Sequence, residues 1–248
     1  MTYSAFETSS YLGHPIEIYE FSRGVLTWRY TTADEDKVVA GLTYTSIIAE
    51  RGGLEQTQEM SRNPISISMD KDVPFLSQFK GAPPSDPINV VIKRYHESDT
   101  EVLTIWVGRI VNVKFKEREA EVRCEPIFTA LKRPILRRRY QTTCPHVLYG
   151  QQCTLTSLSF ANPAIITAVS VKTLTAVEIG ARPAGYFAGG FTDWSNNLAI
   201  ERRFITDHSG STITLNLPYN GILVGQTITV YPGCDHLLTT CNSKFANE

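Results

Sequence analysis

Residues 111–124 read VNVKFKEREAEVRC. Val111, Val113 and Phe115 alternate with Asn112, Lys114 and Lys116; after a charged turn, Ala120, Val122 and Cys124 alternate with Glu119, Glu121 and Arg123. A period of two with apolar residues on one side predicts a β-hairpin with one buried face. Cys124 falls in phase with that face, and a free buried cysteine behaves as a small apolar side chain. Cys124 is therefore expected in the core.

Strand signals continue outward from this hairpin in both directions. HPIEIYEF (14–21) and GVLTWRY (24–30) are rich in β-branched and aromatic residues, with a short Ser22-Arg23 turn between them. KVVAGLTYT (37–45), PISISMD (64–70), INVVIKRY (88–95) and VLTIWVGRIVNV (102–113) follow as strands. PFLSQFK (74–80) suits one or two helical turns opened by Pro74, and it stops at Gly81 and the loop APPSDP. Further on, IITAVSV (165–171), IERRFI (200–205), STITLNL (211–217) and QTITVY (226–231) are strands separated by turns. AGYFAGGFTDWSNN (184–197) has the glycines of a chain that bends or packs closely on another backbone. Helical periodicity is nearly absent, so the fold class is mainly β, in two domains with a cysteine site at their junction.

The composition is that of an ordinary globular protein, with 42% hydrophobic and 20% charged residues and a net charge of −1 over 248 residues. That balance gives no support to sequence-specific nucleic-acid binding, which favours a strongly basic face. No apolar run reaches the roughly 20 residues of a membrane span. The first residues lack a basic segment followed by an apolar one, so synthesis in a reducing cytosol is the expectation.

Four of the five cysteines form two pairs, Cys144 and Cys153 in CPHVLYGQQC and Cys234 and Cys241 in CDHLLTTC. In a reducing compartment such pairs are more often metal ligands or redox groups than disulfides. Four thiolates converging on one point would suit zinc or an iron–sulfur cluster. The C-x8-C and C-x6-C spacings are not those of a zinc ribbon, so zinc, a cluster and disulfides all stay open at this level. His146 and His236 each follow the first cysteine of a pair by two residues. They are candidates for hydrogen bonding to such a centre rather than ligands. Arg137, Arg138 and Arg139 would offset its negative charge or simply form a solvated linker.

Catalytic signals are weak. None of GxSxG, HExxH or GxGxxG opening a helix occurs. Asp207-His208-Ser209 is read as a polar hairpin turn, because neighbours in sequence cannot form a nucleophile–base relay. Asp34, Glu35 and Asp36 lack the ligand spacing of a calcium loop and are read as a solvated loop. Trp28, Trp106 and Trp194 sit in strand contexts, as core or interface. The expectation is no enzyme.

CPHVLYGQQC, AGYFAGGFTDW and GQTITVYPGCDHLLTTCNSKFAN together resemble the C-terminal half of the baseplate hub or tail tip proteins of siphophages and gene transfer agents. Phage lambda tail tip protein L is a more distant relative. The terminal signature is Gly233, Cys234, Asp235, Thr240, Cys241 and Phe245-Ala246-Asn247, after which such proteins continue into an Asn-Phe-Gly-rich tail, while this sequence ends at Glu248. GLTYTS, SISMD and AEVRCEPIFTAL match more loosely in the N-terminal half.

The resemblance implies a β-barrel-like hub domain at 1–130, a linker with the first cysteine pair at 131–153, an inserted β-rich domain at 154–233, and the second pair and tail at 234–248. It implies a [4Fe–4S] cluster on Cys144, Cys153, Cys234 and Cys241 pinning the base of the second domain, with zinc as the alternative. It further implies a virion structural subunit, assembled in the host cytoplasm with no membrane in the assembled state. That subunit would be a homotrimer touching the distal tail protein, the central tip or fibre protein and the tape measure protein. The rival function is an iron–sulfur or zinc redox or sensor protein.

Overall fold

A computed structural model describes residues 3–9, 14–54, 63–97, 101–132, 141–196, 199–219 and 221–247. Arg137, Arg138 and Arg139 lie outside the described residues. The chain divides into two compact units, Met1–Phe79 with Asp86–Arg133, and Lys80–Ser85 with Pro134–Glu248. The fold is mainly β, as expected.

After a short helix α1 (Tyr3–Glu7), the first unit contains β1 (Pro15–Arg23), β2 (Leu26–Thr31), β3 (Lys37–Val39), β4 (Leu42–Ser46), β5 (Ala49–Arg51), β6 (Ile65–Asp70), β7 (Asn89–His96), β8 (Leu103–Phe115) and β9 (Glu119–Pro126). They form one sheet in the order β3-β4-β2-β1-β7-β8-β9-β6-β5. One core takes Tyr30 from β2, Phe21 from β1, Val90 and Ile92 from β7, Val122 from β9 and Ile65 and Ile67 from β6. Strands that far apart in the order share a core because the sheet curls into a half-barrel around the 3₁₀ turn Pro74–Phe79. Phe75 of that turn is fully buried and stacks on Phe21 with ring centroids 4.2 Å apart. Burial of one such ring contributes about 2 kcal/mol.

The 111–124 hairpin forms as β8 and β9, with Phe115 opposite Ala120 and Lys114 opposite Glu121. On β9 the reading holds, since Ala120, Val122 and Cys124 have no exposed surface. On β8 it does not hold throughout. Register shifts between Ile110 and Asn112, Val111 is half exposed, and the buried face up to that point is carried by Trp106 and Ile110. A bulge at this point switches the phase of the strand.

Two turns also differ from expectation. β1 runs on through Arg23, which pairs with Leu26, so the turn is Gly24-Val25 rather than Ser22-Arg23. Gly24 takes φ +56°, a left-handed conformation that suits the first position of a two-residue hairpin. KVVAGLTYT is two strands, not one, because Ala40 and Gly41 both take positive φ and fold β3 back on β4.

The second unit contains β10 (Asn162–Ile165), β11 (Ala168–Ser170), β12 (Thr173–Thr175), α2 (Val177–Gly180), β13 (Phe191–Asn196), β14 (Ala199–Ser209), β15 (Thr212–Leu215), β16 (Thr227–Tyr231) and α3 (Leu238–Phe245). The sheet order is β10-β16-β13-β14-β15-β12-β11. Its two end strands are separated in the chain by Ile166 and Thr167 alone, so the sheet must close on itself. The single strand expected over 165–171 is thus a bent one. Ile166 N–H donates to Gln226 O at 3.0 Å and Thr167 N–H to Thr175 O at 2.8 Å, one toward each end of the sheet. Ile166, Leu174, Trp194, Ile205, Ile213, Leu215, Ile228 and Val230 fill the interior.

The segment 80–85 is fastened to this unit. Arg203 Nη2 donates to Pro83 O at 2.8 Å, and Glu201 Oε2 accepts from Ser85 Oγ at 2.7 Å, with both charged side chains buried.

The glycines of 184–197 serve the expected close approach. A Cβ on Gly190 would stand 2.0 Å from Tyr231 O, and one on Gly233 would stand 1.9 Å from Ala188 O. This contact delivers the chain from β16 to the second cysteine loop.

Candidate functional site

The four paired cysteines line one cavity of about 430 Å³ in the second unit, together with His146, Leu148, His236 and Leu237. The loops that carry them are tied to each other by backbone. Cys144 N–H donates to His236 O at 2.8 Å, and Asn247 Nδ2 donates to Cys153 O at 2.9 Å. Cys153 closes a turn on Gly150 O at 2.9 Å. Cys241 lies in α3, with its N–H on Leu237 O at 3.0 Å. Asp235 orders the approach to that helix, accepting from Leu237 N–H at 3.0 Å and Thr240 Oγ1 at 2.7 Å. The backbone N–H of Leu237 is the main reason the Asp235 carboxyl is held below the usual carboxylate range. His236 N–H points at Cys234 Sγ, 3.3 Å away.

Backbone conformation is strained here. Non-glycine residues with positive φ among those described are Ala40, Tyr149 (58°), Thr154 (62°), His236 (65°) and Ala246 (49°), and all but Ala40 belong to the two cysteine loops. Each such residue costs on the order of 1 kcal/mol, and strain of this kind persists where surrounding structure enforces it, typically at ligand clamps. An aromatic wall backs the cavity. Tyr149 meets Phe191 at 5.9 Å and Phe245 at 6.3 Å, and its hydroxyl donates to Pro232 O at 2.9 Å.

No two of the five cysteines are joined as a disulfide. Burial pushes the Cys241 thiol up, and Cys234, Cys153 and Cys144 push it the same way, in that order. Four thiolates cannot share this space unless positive charge offsets them. Among the described residues no group of three or more His, Cys, Asp or Glu side chains is placed to hold a metal ion. The thiols thus surround a space rather than meeting at the single point expected from the sequence. His146 Nδ1 is out of solvent at this cavity and has no hydrogen-bond partner among the described residues.

Other residues singled out in the sequence take structural places. Asp207, His208 and Ser209 end β14, with the turn at Gly210-Ser211, and His208 Nε2 lies 2.9 Å from Gly210 O. Glu35 is bridged by Lys37, which also reaches Glu97, both at 2.7 Å. Trp106 and Trp194 are buried and Trp28 packs against the first core. Sequence reasoning missed α3 and, on it, Lys244, whose ammonium donates to Gly233 O at 2.6 Å. The signal was available as the three-residue step from Cys241 to Lys244, one turn along a helix face.

One unit is a curled half-barrel sheet, and the other is a closed β unit that carries a thiol-lined cavity. Residues 20–156 match the family described as baseplate hub protein, N-terminal attachment domain, and residues 185–248 match phage conserved hypothetical protein BR0599. The chain belongs to the baseplate hub family. An uncharacterized protein of Xylella fastidiosa (strain 9a5c) is 28% identical over 166 residues, which cover 60% of this chain and 34% of that protein. The chain thus spans about a third of the length of that curated relative. A chain in the virion of a native gene transfer agent particle superposes with a TM-score of 0.83 at 17% identity, covering 99% of this chain and 89% of that one. At that identity the likeness is one of fold.

Proposed function

We propose that this protein is a structural baseplate hub subunit of a phage or phage-like tail, in which Cys144, Cys153, Cys234 and Cys241 hold a [4Fe–4S] cluster. The observation that carries the reading is the shared cavity. Two loops some eighty residues apart in a baseplate hub chain present all four thiols to one space. The donor set fits, since thiolates are the ligands of such clusters. A tetrahedral zinc ion, with sulfurs about 2.3 Å away, would need all four within roughly 4 Å of one another. The choice of an iron–sulfur cluster over zinc rests on the family resemblance.

The cluster's contribution is covalent crosslinking. Joining Cys153 to Cys234 closes a loop whose entropy, in the chain-crosslink model, is worth about 4–5 kcal/mol. It does so in a reducing cytosol, where a disulfide would not persist. The strained residues Tyr149, Thr154, His236 and Ala246 preorganise the ligand loops, and the aromatic wall limits water. A homotrimeric ring in contact with distal tail, tip or fibre, and tape measure proteins rests on the family resemblance, as does the non-enzymatic role.

Cys144→Ser and Cys234→Ser, introduced into the particle that encodes the protein, are expected to lower the yield of complete tails sharply. Wild-type tail yield from both would contradict a required cluster.

A further inference from the structure

Lys244 is a half-buried cation whose surroundings lack an ordinary counter-charge. Its ammonium donates to the carbonyl oxygens of Gly233, at 2.6 Å, and Tyr186. It also sits over the ring faces of Tyr186, at 4.5 Å, and Phe245, at 5.4 Å. Among the described residues no carboxylate oxygen lies within ion-pair distance of it. Taking an ammonium out of water without an opposing charge is costly, and two carbonyl dipoles and two ring faces offset only part of that cost. The negative groups that act on it electrostatically are Cys234, when ionised, and Asp235. Burial lowers the Lys244 pKa, and these two groups oppose that shift.

The placement is built. Lys244 stands one helical turn from Cys241 on α3 and is hydrogen-bonded to the residue before Cys234, so it touches the supports of two ligands from different elements. Tyr186 O comes from the glycine-rich segment that passes beside Gly233. Three separate pieces of chain therefore converge to hold one cation beside the cavity.

We propose that Lys244 is the charge-compensating residue of the four-cysteine site, holding a fixed positive charge against an anionic tetrathiolate centre. The inference rests on the four cysteines binding a metal centre as thiolates, and it goes beyond that reading by assigning a residue that sets the centre's electrostatics. Neutral thiols or disulfides would leave this cation only the more distant charge of Asp235, which forms no ion pair with it. A permanent anion at the cavity gives it a counter-charge. A fixed cation near a cluster stabilises the more negative, reduced state, so its removal should move the midpoint potential downward.

The test compares wild type, Lys244→Arg and Lys244→Met, each purified anaerobically as the full chain. The readouts are the midpoint potential of the centre and the rate of metal loss to excess chelator. For an iron centre, Lys244→Met is expected to shift the one-electron equilibrium against reduction by about tenfold, or 59 mV. It is also expected to lose metal several-fold faster. Lys244→Arg should restore most of both, which a merely structural defect in α3 would not show. If wild type carries zinc instead, the chelator rate alone decides, with the same ordering. Equal potentials and equal loss rates in wild type and Lys244→Met would overturn the assignment while leaving the metal site intact. Wild type without any metal, its thiols neutral or paired, would overturn both the site and the assignment.

Discussion

Glu17 is shared by two guanidiniums. Arg51 Nε donates to it at 2.7 Å, Arg94 Nη2 at 2.9 Å and the Tyr19 hydroxyl at 2.9 Å. Burial alone would raise its pKa, but the bonds from Arg51, Arg94 and Tyr19 outweigh burial and hold it at about 2. A carboxyl lowered on folding contributes stability that is complete above its unfolded value and disappears as pH falls through the folded one. The window therefore runs from about pH 4.5 down to about pH 2. Between pH 5 and pH 3 this single group should account for a fall of about 2 kcal/mol. Denaturant unfolding of wild type and Glu17→Gln at both pH values measures it: the variant's loss should be smaller by about that amount, and equal losses would contradict the assignment. Cys124 makes a second prediction at this scale. Burial pushes its thiol up to about 12, whereas the other four line an open cavity. Iodoacetamide at pH 8 should alkylate four cysteines of the native metal-free protein and spare Cys124. Labelling of Cys124 at a comparable rate would remove it from the core.

Among the elements, the contact between the 184–197 segment and the chain leaving β16 is the most demanding. The Cβ of a Gly233→Ala variant would meet backbone from the neighbouring segment, which cannot turn aside as a side chain can. The expected cost is on the order of 3 kcal/mol, seen as a lowered melting transition of the second unit and weaker retention of metal. Gly41→Ala, where a Cβ meets nothing, should cost less, through backbone strain alone. Equal stability of Gly233→Ala and wild type would show that the close approach is not obligatory. Sequence pattern reached most strands because each has one buried face, as in β6 and β9. It failed where a local device overrode the period. The bulge at Val111, the Ala40-Gly41 turn and the bend at Ile166-Thr167 each change direction without interrupting the apolar pattern. The four cysteines were legible as a set, since their chemistry is rare and their pairing plain. The carbonyl partners of Lys244 and the strained residues were not, because a lysine carries no sign of the distant backbone it meets and a threonine none of the φ it adopts.

Across the whole molecule, the two units meet different needs. The first is a curled sheet closed over by the Phe75 turn, and its stability rests on packing: Phe75→Ala, which empties a site touching Phe21 and Tyr30, should cost about 3–5 kcal/mol by denaturant unfolding. A loss under 1 kcal/mol would show that the turn is not part of that core. The second is a small barrel whose cysteine loops have few strands of their own, and there the proposed metal centre would supply what packing does not. Crosslinked loops at a fixed site suit the structural role proposed for it. The claim on which that proposal depends is that Cys144, Cys153, Cys234 and Cys241 hold an iron–sulfur centre. The most direct measurement is iron, acid-labile sulfide and zinc analysis with visible absorption on one anaerobically purified sample. The account predicts iron and sulfide in near-equal amounts approaching four of each per chain, with broad brown absorption. A chain that carries neither iron nor sulfide, its four thiols free or paired as disulfides, would contradict it.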